Sequence, residues 1–227
     1  MVKVLEIFYG IQGEGIHQGV PMVFIRLAGC NLLTKCSYCD TSYAWNSESG
    51  RDMPIGEITG EVSKLSPHYR SWICITGGEP LWQEEGLEEL VRELKRAGYL
   101  VTIETNSSFK PPRWYTLVDS WNADIKCPSS GVCGVSREVW FTTRQQDQIK
   151  FVVKDREDLD FAEDVLERHR VDSPTILVSP VVDKCSDSGK LLLSPEWLQE
   201  VAEFCKKEKV RLSLQLHKVI WGNQRGV

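Results

Sequence analysis

No apolar run in the 227 residues approaches the roughly 20 needed to cross a bilayer, so a membrane-spanning helix is excluded. The opening residues, MVKVLEIFYGIQGEG, contain no hydrophobic signal core and no cleavage site. Secretion is therefore not expected, and a cytoplasmic setting is. The chain has no excess of positive charge: 27 Lys and Arg face 32 Asp and Glu, a net charge of −5. A protein built to grip a phosphate backbone needs the opposite sign, so no direct nucleic-acid partner is expected. A small anion remains possible, because a few placed arginines suffice. No internal repeat, low-complexity tract or long linker divides the sequence. One α/β domain over residues 1–227 is expected at this length. Its core should bury on the order of 70% of the unfolded surface. A hydrophobic content of 41% with 26% charged residues excludes disorder as the main state.

What is present is an alternation of short β-branched runs with amphipathic stretches. Residues 4–8, 22–28, 71–76, 100–104, 121–125, 148–153, 175–178 and 211–216 read as strands. Residues 55–65, 84–97, 159–169 and 195–207 read as helices. In the second of these Leu87, Leu90, Val91 and Leu94 form one stripe, and Gly98 stands where a C-terminal stop belongs. Residues 30–49 show no period and read as a loop. Near-continuous apolar strands alternating with helices predict parallel β/α packing. A closed eightfold barrel takes about 250 residues and more helices than these, so the expected fold is a partial, open TIM-like β/α barrel. It should have about six main parallel strands, with the site at their C-terminal ends.

Eight cysteines are many for a chain without a secretory signal: Cys30, Cys36, Cys39, Cys74, Cys127, Cys133, Cys185 and Cys205. Metal binding, catalysis or buried thiols are expected rather than disulfides. Cys30, Cys36 and Cys39 form C-x5-C-x2-C directly after a strand. Three such thiolates can each hold one iron of a 4Fe-4S cluster and leave a fourth iron open. A structural zinc site, with four ligands in two pairs, is the competing reading. The other five cysteines are taken as small buried hydrophobes or incidental surface thiols. Thr76-Gly-Gly-Glu79-Pro80 ends a later strand, where paired glycines allow close backbone approach to a ligand.

A cysteine triplet after one barrel strand and GGEP after the next resemble the radical S-adenosylmethionine superfamily. Further stretches narrow the resemblance to the 7-carboxy-7-deazaguanine synthase family. They are Ile11-Gln12-Gly13-Glu14-Gly15, Phe24-Ile25-Arg26, Ala28-Gly29-Cys30-Asn31, Cys39-Asp40-Thr41, Glu104-Thr105-Asn106, Gln215-Leu216-His217-Lys218 and Trp221 to Val227. One departure is the cluster spacing: the superfamily usually shows C-x3-C-x2-C. Leu33-Thr34-Lys35 is read as a bulge that leaves the ligands unchanged, since loops absorb insertions at small cost. Cys127 or Cys133 in place of Cys30 is the alternative ligand set.

The resemblance implies a lyase of 7-deazapurine biosynthesis, in the pathway that leads to queuosine or archaeosine. It would convert 6-carboxy-5,6,7,8-tetrahydropterin to 7-carboxy-7-deazaguanine by ring contraction with loss of ammonia. A 4Fe-4S cluster on Cys30, Cys36 and Cys39, S-adenosylmethionine and Mg2+ are the implied cofactors. A flavodoxin- or ferredoxin-like electron donor and a homodimer are the implied partners. Gly78 and Glu79 would hold the methionine moiety, with Glu79 accepting from its ammonium. Tyr38, Asp40, Asp124, Ile125, Lys126, Ser179, Pro180, Val181 and Val182 would complete the cofactor contacts. Ile11, Gln12 and Gly13 suit the pterin edge, since an amide both donates and accepts. Arg26 suits the substrate carboxylate through a bidentate fork, and Thr76 and the Val227 carboxylate are further substrate contacts. Thr41 would bind magnesium, a hard cation that prefers oxygen. His217 would carry a proton or touch substrate, whereas His17, His68 and His169 are read as structural or surface residues. Trp45 and Trp221 are expected to wall the pocket. Two other readings compete: a glycyl-radical activase, and a cluster- or zinc-stabilised binding protein without turnover.

Overall fold

The computed structural model describes residues 1–66, 70–169, 175–182, 193–222 and 224–227. His68, Cys185 and Asn223 lie outside the described residues. The chain runs β1 (Val2–Ile11), β2 (Pro21–Leu27), β3 (Arg51–Met53), α1 (Ile55–Leu65), β4 (Trp72–Gly77) and α2 (Glu84–Arg96). It continues through β5 (Leu100–Thr105), β6 (Ser120–Ile125), β7 (Gln148–Val153) and α3 (Arg156–Arg168). The last part holds β8 (Thr175–Pro180), α4 (Pro195–Glu208), β9 (Arg211–Leu212) and α5 (Leu216–Trp221).

One sheet carries nine strands in the order β3-β1-β2-β4-β5-β6-β7-β8-β9. From β2 to β9 every neighbour is parallel. β1 is antiparallel to both β2 and β3 and forms the flank of the sheet. The sheet is open, with β3 and β9 at its edges, as a partial barrel requires. The parallel strands read as continuous apolar runs because both faces are covered: all six residues of β7 are buried.

The helices follow from local chemistry. On α2 the stripe Leu87, Leu90, Val91 and Leu94 is fully buried. Each such side chain contributes about 1.5–3 kcal/mol by leaving water. Glu84 and Glu85 open that helix, and Lys95 and Arg96 close it, which suits its dipole. Gly98 (φ 86°) then ends it, with Tyr99 N donating to Leu94 O at 3.1 Å. Asp155 caps α3 by accepting from Asp158 N. That cap starts the helix at Arg156, three residues before the sequence pattern does.

One expectation needs correction. The run 211–216 alternates like a strand, but only Arg211–Leu212 pair with β8. Beyond them Ser213 N donates to Val178 O, and Leu216 N donates to Gly13 O before turning into α5. The backbone is satisfied by loop and helix instead of a ladder. The short strand β3 was not legible, because three residues show no period.

The described minor cysteines behave as expected. Cys74, Cys127 and Cys205 are buried, and Cys133 is exposed. His17 packs on Trp72 at 4.2 Å and His169 stacks on Phe141 at 4.6 Å between ring centroids. No helix among the described residues is long and apolar enough to cross a membrane.

Candidate active site

A cavity of about 710 Å3 opens at the C-terminal ends of the parallel strands. That volume lies within the usual range for small-molecule sites. Cys30, Cys36 and Cys39 all face it, and all are free and partly exposed. Cys127 donates to Ile125 O in the core, and Cys133 sits on the surface; neither reaches the cavity. In the inserted Leu33-Thr34-Lys35 bulge Leu33 is 96% exposed, Thr34 lines the cavity and Lys35 Nζ lies 5.4 Å from the Trp45 ring centroid. No three His, Cys, Asp or Glu side chains among the described residues converge on one ion. Three free thiols lining one cavity suit a polynuclear group with one thiolate per iron.

The loop bearing Cys30 is clamped from the next strand. Leu27 O accepts from Gly78 N at 3.0 Å, and Gly29 O accepts from Glu79 N at 2.8 Å. A Cβ on Gly78 would lie 1.9 Å from Gly29 O, so the contact demands glycine. Glu79 itself is fully buried. Its carboxylate accepts from Thr105 Oγ1 (2.8 Å), Asn106 N (2.7 Å) and Leu81 N (3.0 Å). Burial pushes this carboxyl up to about 7 despite those donors. Glu79 therefore braces this wall, and with three donors on its four acceptor sites it keeps capacity for one more. Asn106, which Glu79 fixes, donates to Asn31 Oδ1 at 3.0 Å and lies 3.8 Å from Cys30 Sγ.

Beside the thiols Lys126 pairs with Asp124 at 2.8 Å and lies 6.0 Å from the Tyr38 ring. Burial pushes the Cys30 and Cys36 thiols up, and the Lys126 ammonium works against that. Tyr38 Oη, Asn122 Oδ1 and Asp124 Oδ1 are buried without a hydrogen-bond partner, although all three residues line the cavity. Unpaired buried polar atoms cost free energy, so they mark where a ligand's donors and acceptors fit. The residues present therefore fit a cluster with a polar cofactor beside it.

The QGEG segment follows β1 and also lines the cavity. Gln12 Nε2 donates to Glu104 Oε1 at 3.1 Å, and Thr76 Oγ1 donates to Glu104 Oε2 at 2.7 Å. Glu104 thus aligns two expected substrate contacts, one from the loop after β1 and one from β4. Gly13 lies under His217: a Cβ there would be 2.0 Å from His217 Nδ1. His217 Nε2 faces Asp40 Oδ2 at 3.6 Å, with Lys218 Nζ 3.7 Å from the same oxygen. Partial desolvation would raise the Asp40 carboxyl, but its contacts with His217 and Lys218 outweigh it and hold it well below the usual carboxylate range. Glu14 pairs with Lys150 and accepts from Gln215 Nε2 at 2.7 Å. Burial acts upward on Glu14 as well, yet Lys150 and His217 bring it down to about 2.

Arg26 is not the solvated strand-end charge that its position allows; its side chain is 13% exposed and bonds Glu6 Oε1 through Nε at 2.7 Å. Ile11, Gln12, Gly13, Arg26, Tyr38, Asp40, Thr41, Thr76, Gly78, Asp124, Lys126, Val181, Val182, His217 and Val227 all reach the cavity. Ile125, Ser179 and Pro180 do not, nor does Trp221, whereas Trp45 does. β6 alternates its side chains, which turns Ile125 to the core, whereas Ser179 pairs with the cavity residue Val152 and so lies on the cavity's face of the sheet without lining it. Thr41 Oγ1 lies 3.8 Å from Cys39 Sγ and caps no backbone amide of the turn that follows it. Glu104, Lys150 and Asn106 were missed as functional residues. Glu104 and Asn106 stand in the quoted Glu104-Thr105-Asn106 run, which was their signal; Lys150 sits inside an apolar strand and had none.

Residues 11–113 match a family model described as a 4Fe-4S single cluster domain. A 7-carboxy-7-deazaguanine synthase from Methanospirillum hungatei is 38% identical over 96% of this chain and 85% of its own length. One from Pyrobaculum aerophilum is 35% identical over 99% of this chain and 97% of its own length. QueE from Escherichia coli shares the fold, with a TM-score of 0.75 at 23% identity, covering 95% of this chain and 94% of that one. At such identity and coverage, the chain belongs to the 7-carboxy-7-deazaguanine synthase family.

Proposed function

We propose that this site converts 6-carboxy-5,6,7,8-tetrahydropterin to 7-carboxy-7-deazaguanine. The observation that carries the reading is one cavity lined both by three free thiols and by the Gln12–Glu104–Thr76 array. When bound, a 4Fe-4S cluster and S-adenosylmethionine supply a 5′-deoxyadenosyl radical that abstracts hydrogen from the substrate.

Cys30, Cys36 and Cys39 would hold the cluster, leaving one iron free of protein ligands. Gly78, Tyr38, Asp124, Lys126, Val181 and Val182 would surround the cofactor; the unpartnered Tyr38 and Asp124 oxygens support this. Gln12, with Glu104 behind it, would read the pterin's amide edge, and Thr76 and Val227 would flank the ring. Arg26 would bind the carboxylate. Thr41, whose hydroxyl has no backbone to cap, would offer an oxygen to Mg2+ beside that carboxylate. His217 is held by Asp40 at Nε2 and would carry the proton that leaves with ammonia. The electron would come from an external donor of the flavodoxin or ferredoxin kind.

Arg26→Ala tests the substrate side directly. It should raise the apparent Michaelis constant for the pterin by about tenfold or more, the cost of a charge-assisted bond, while S-adenosylmethionine affinity stays unchanged. An unchanged Michaelis constant would remove Arg26 from the carboxylate role.

A further inference from the structure

Glu6 has no part in the roles above, yet four segments meet at its carboxylate. Oε1 accepts from Arg26 Nε at 2.7 Å and from Tyr43 Oη at 3.2 Å. Oε2 accepts from Arg225 Nε at 2.9 Å. The Arg225 and Arg26 guanidiniums lie 3.9 and 5.8 Å from the Tyr43 ring centroid. A register shift places Glu6 there. Val4 pairs with Leu27, so an unbroken antiparallel register would set Leu5 opposite Arg26. The shift between Val4 and Glu6 brings Glu6 opposite instead. Bulges beside active sites commonly re-aim a side chain in this way. Across β2 the partner of Arg26 is Thr76, which also faces the cavity.

An arginine grips a carboxylate with two parallel donors, either Nε with one Nη or both Nη groups. Glu6 occupies Nε and so closes the first option. We propose that Glu6 is a positioning residue that aims Arg26, presenting both Nη groups to the substrate's carboxylate. Its charge also lies between two guanidiniums that would repel each other without it. The inference rests on the pterin-carboxylate reading above.

The test uses the reconstituted holoenzyme with S-adenosylmethionine and two stable probes, 6-carboxypterin and pterin, with binding followed by fluorescence. The wild type should prefer the carboxylated probe. Glu6→Ala should cut that preference by about tenfold, while the affinity for plain pterin stays within about twofold. Glu6→Gln keeps the side chain's volume and one acceptor for Nε, so it should fold and cut the preference by about threefold. In an Arg26→Ala background, Glu6→Ala should change nothing further, because the two act as one unit. A preference unchanged or strengthened in both Glu6 variants would overturn the role. So would equal weakening for both probes, which is the mark of a merely structural residue. A wild type that binds both probes alike would overturn the substrate reading itself, and with it the role of Glu6.

Discussion

At the scale of single residues, position rather than residue type separates the thiols that matter. Eight cysteines share one chemistry, but of those described only Cys30, Cys36 and Cys39 open onto the cavity. Cys36→Ala should therefore abolish the iron–sulfur absorbance and the bound iron and sulfide, with the far-ultraviolet spectrum retained. An intact cluster spectrum in that variant would overturn the C-x5-C-x2-C assignment. The triplet was legible in the sequence because three thiols in ten residues after a strand have few other uses. The bracing role of Glu79 was not legible for an equally physical reason: sequence shows that a carboxylate is present, not which way it faces. Only the fold reveals that Thr105, Asn106 and Leu81 already donate to its oxygens. The Glu14–Lys150 pair was invisible in the same way, since its members are 136 residues apart.

At the scale of elements, the loop after β4 governs the loop after β2. The contact of Gly78 with Gly29 leaves no room for a side chain. Gly78→Ala should cost on the order of 3 kcal/mol by overpacking against backbone. That corresponds to a melting temperature lower by about 6–12 °C for a chain of this size. The variant should also lose iron on reconstitution, because the loop bearing Cys30 must move. A melting temperature and iron content equal to the wild type's would show that the clamp is dispensable. The strands and main helices were legible because their periods are strong: the α2 stripe and the apolar β7 run leave no second reading. Helix α5 was not, since residues 211–216 alternate in polarity while their backbone bonds go to Gly13 and Val178. Tertiary partners, absent from a local pattern, decide that segment.

At the scale of the whole molecule, the two ends of the barrel opening are joined by buried charge. Glu14, after β1, meets Lys150 on β7 and Gln215 before α5. Its carboxyl is held at about 2, below its ordinary 4.5. A depressed carboxyl stabilises the fold above pH 4.5, and that stability is lost as pH falls from 4.5 through about 2. The interval corresponds to ~3 kcal/mol. In denaturant melts Glu14→Gln should be less stable than the wild type by about that amount at pH 7, and the difference should vanish toward pH 2. A difference that does not depend on pH would mean that the charge of Glu14 contributes nothing. The same opening holds the thiols, the substrate array and His217, so one assay addresses the account most directly. Reconstituted protein would be mixed anaerobically with S-adenosylmethionine, a strong reductant, Mg2+ and 6-carboxytetrahydropterin, and the products read by mass. The account predicts 7-carboxy-7-deazaguanine with little net 5′-deoxyadenosine; 5′-deoxyadenosine accumulating without the deazaguanine would contradict it.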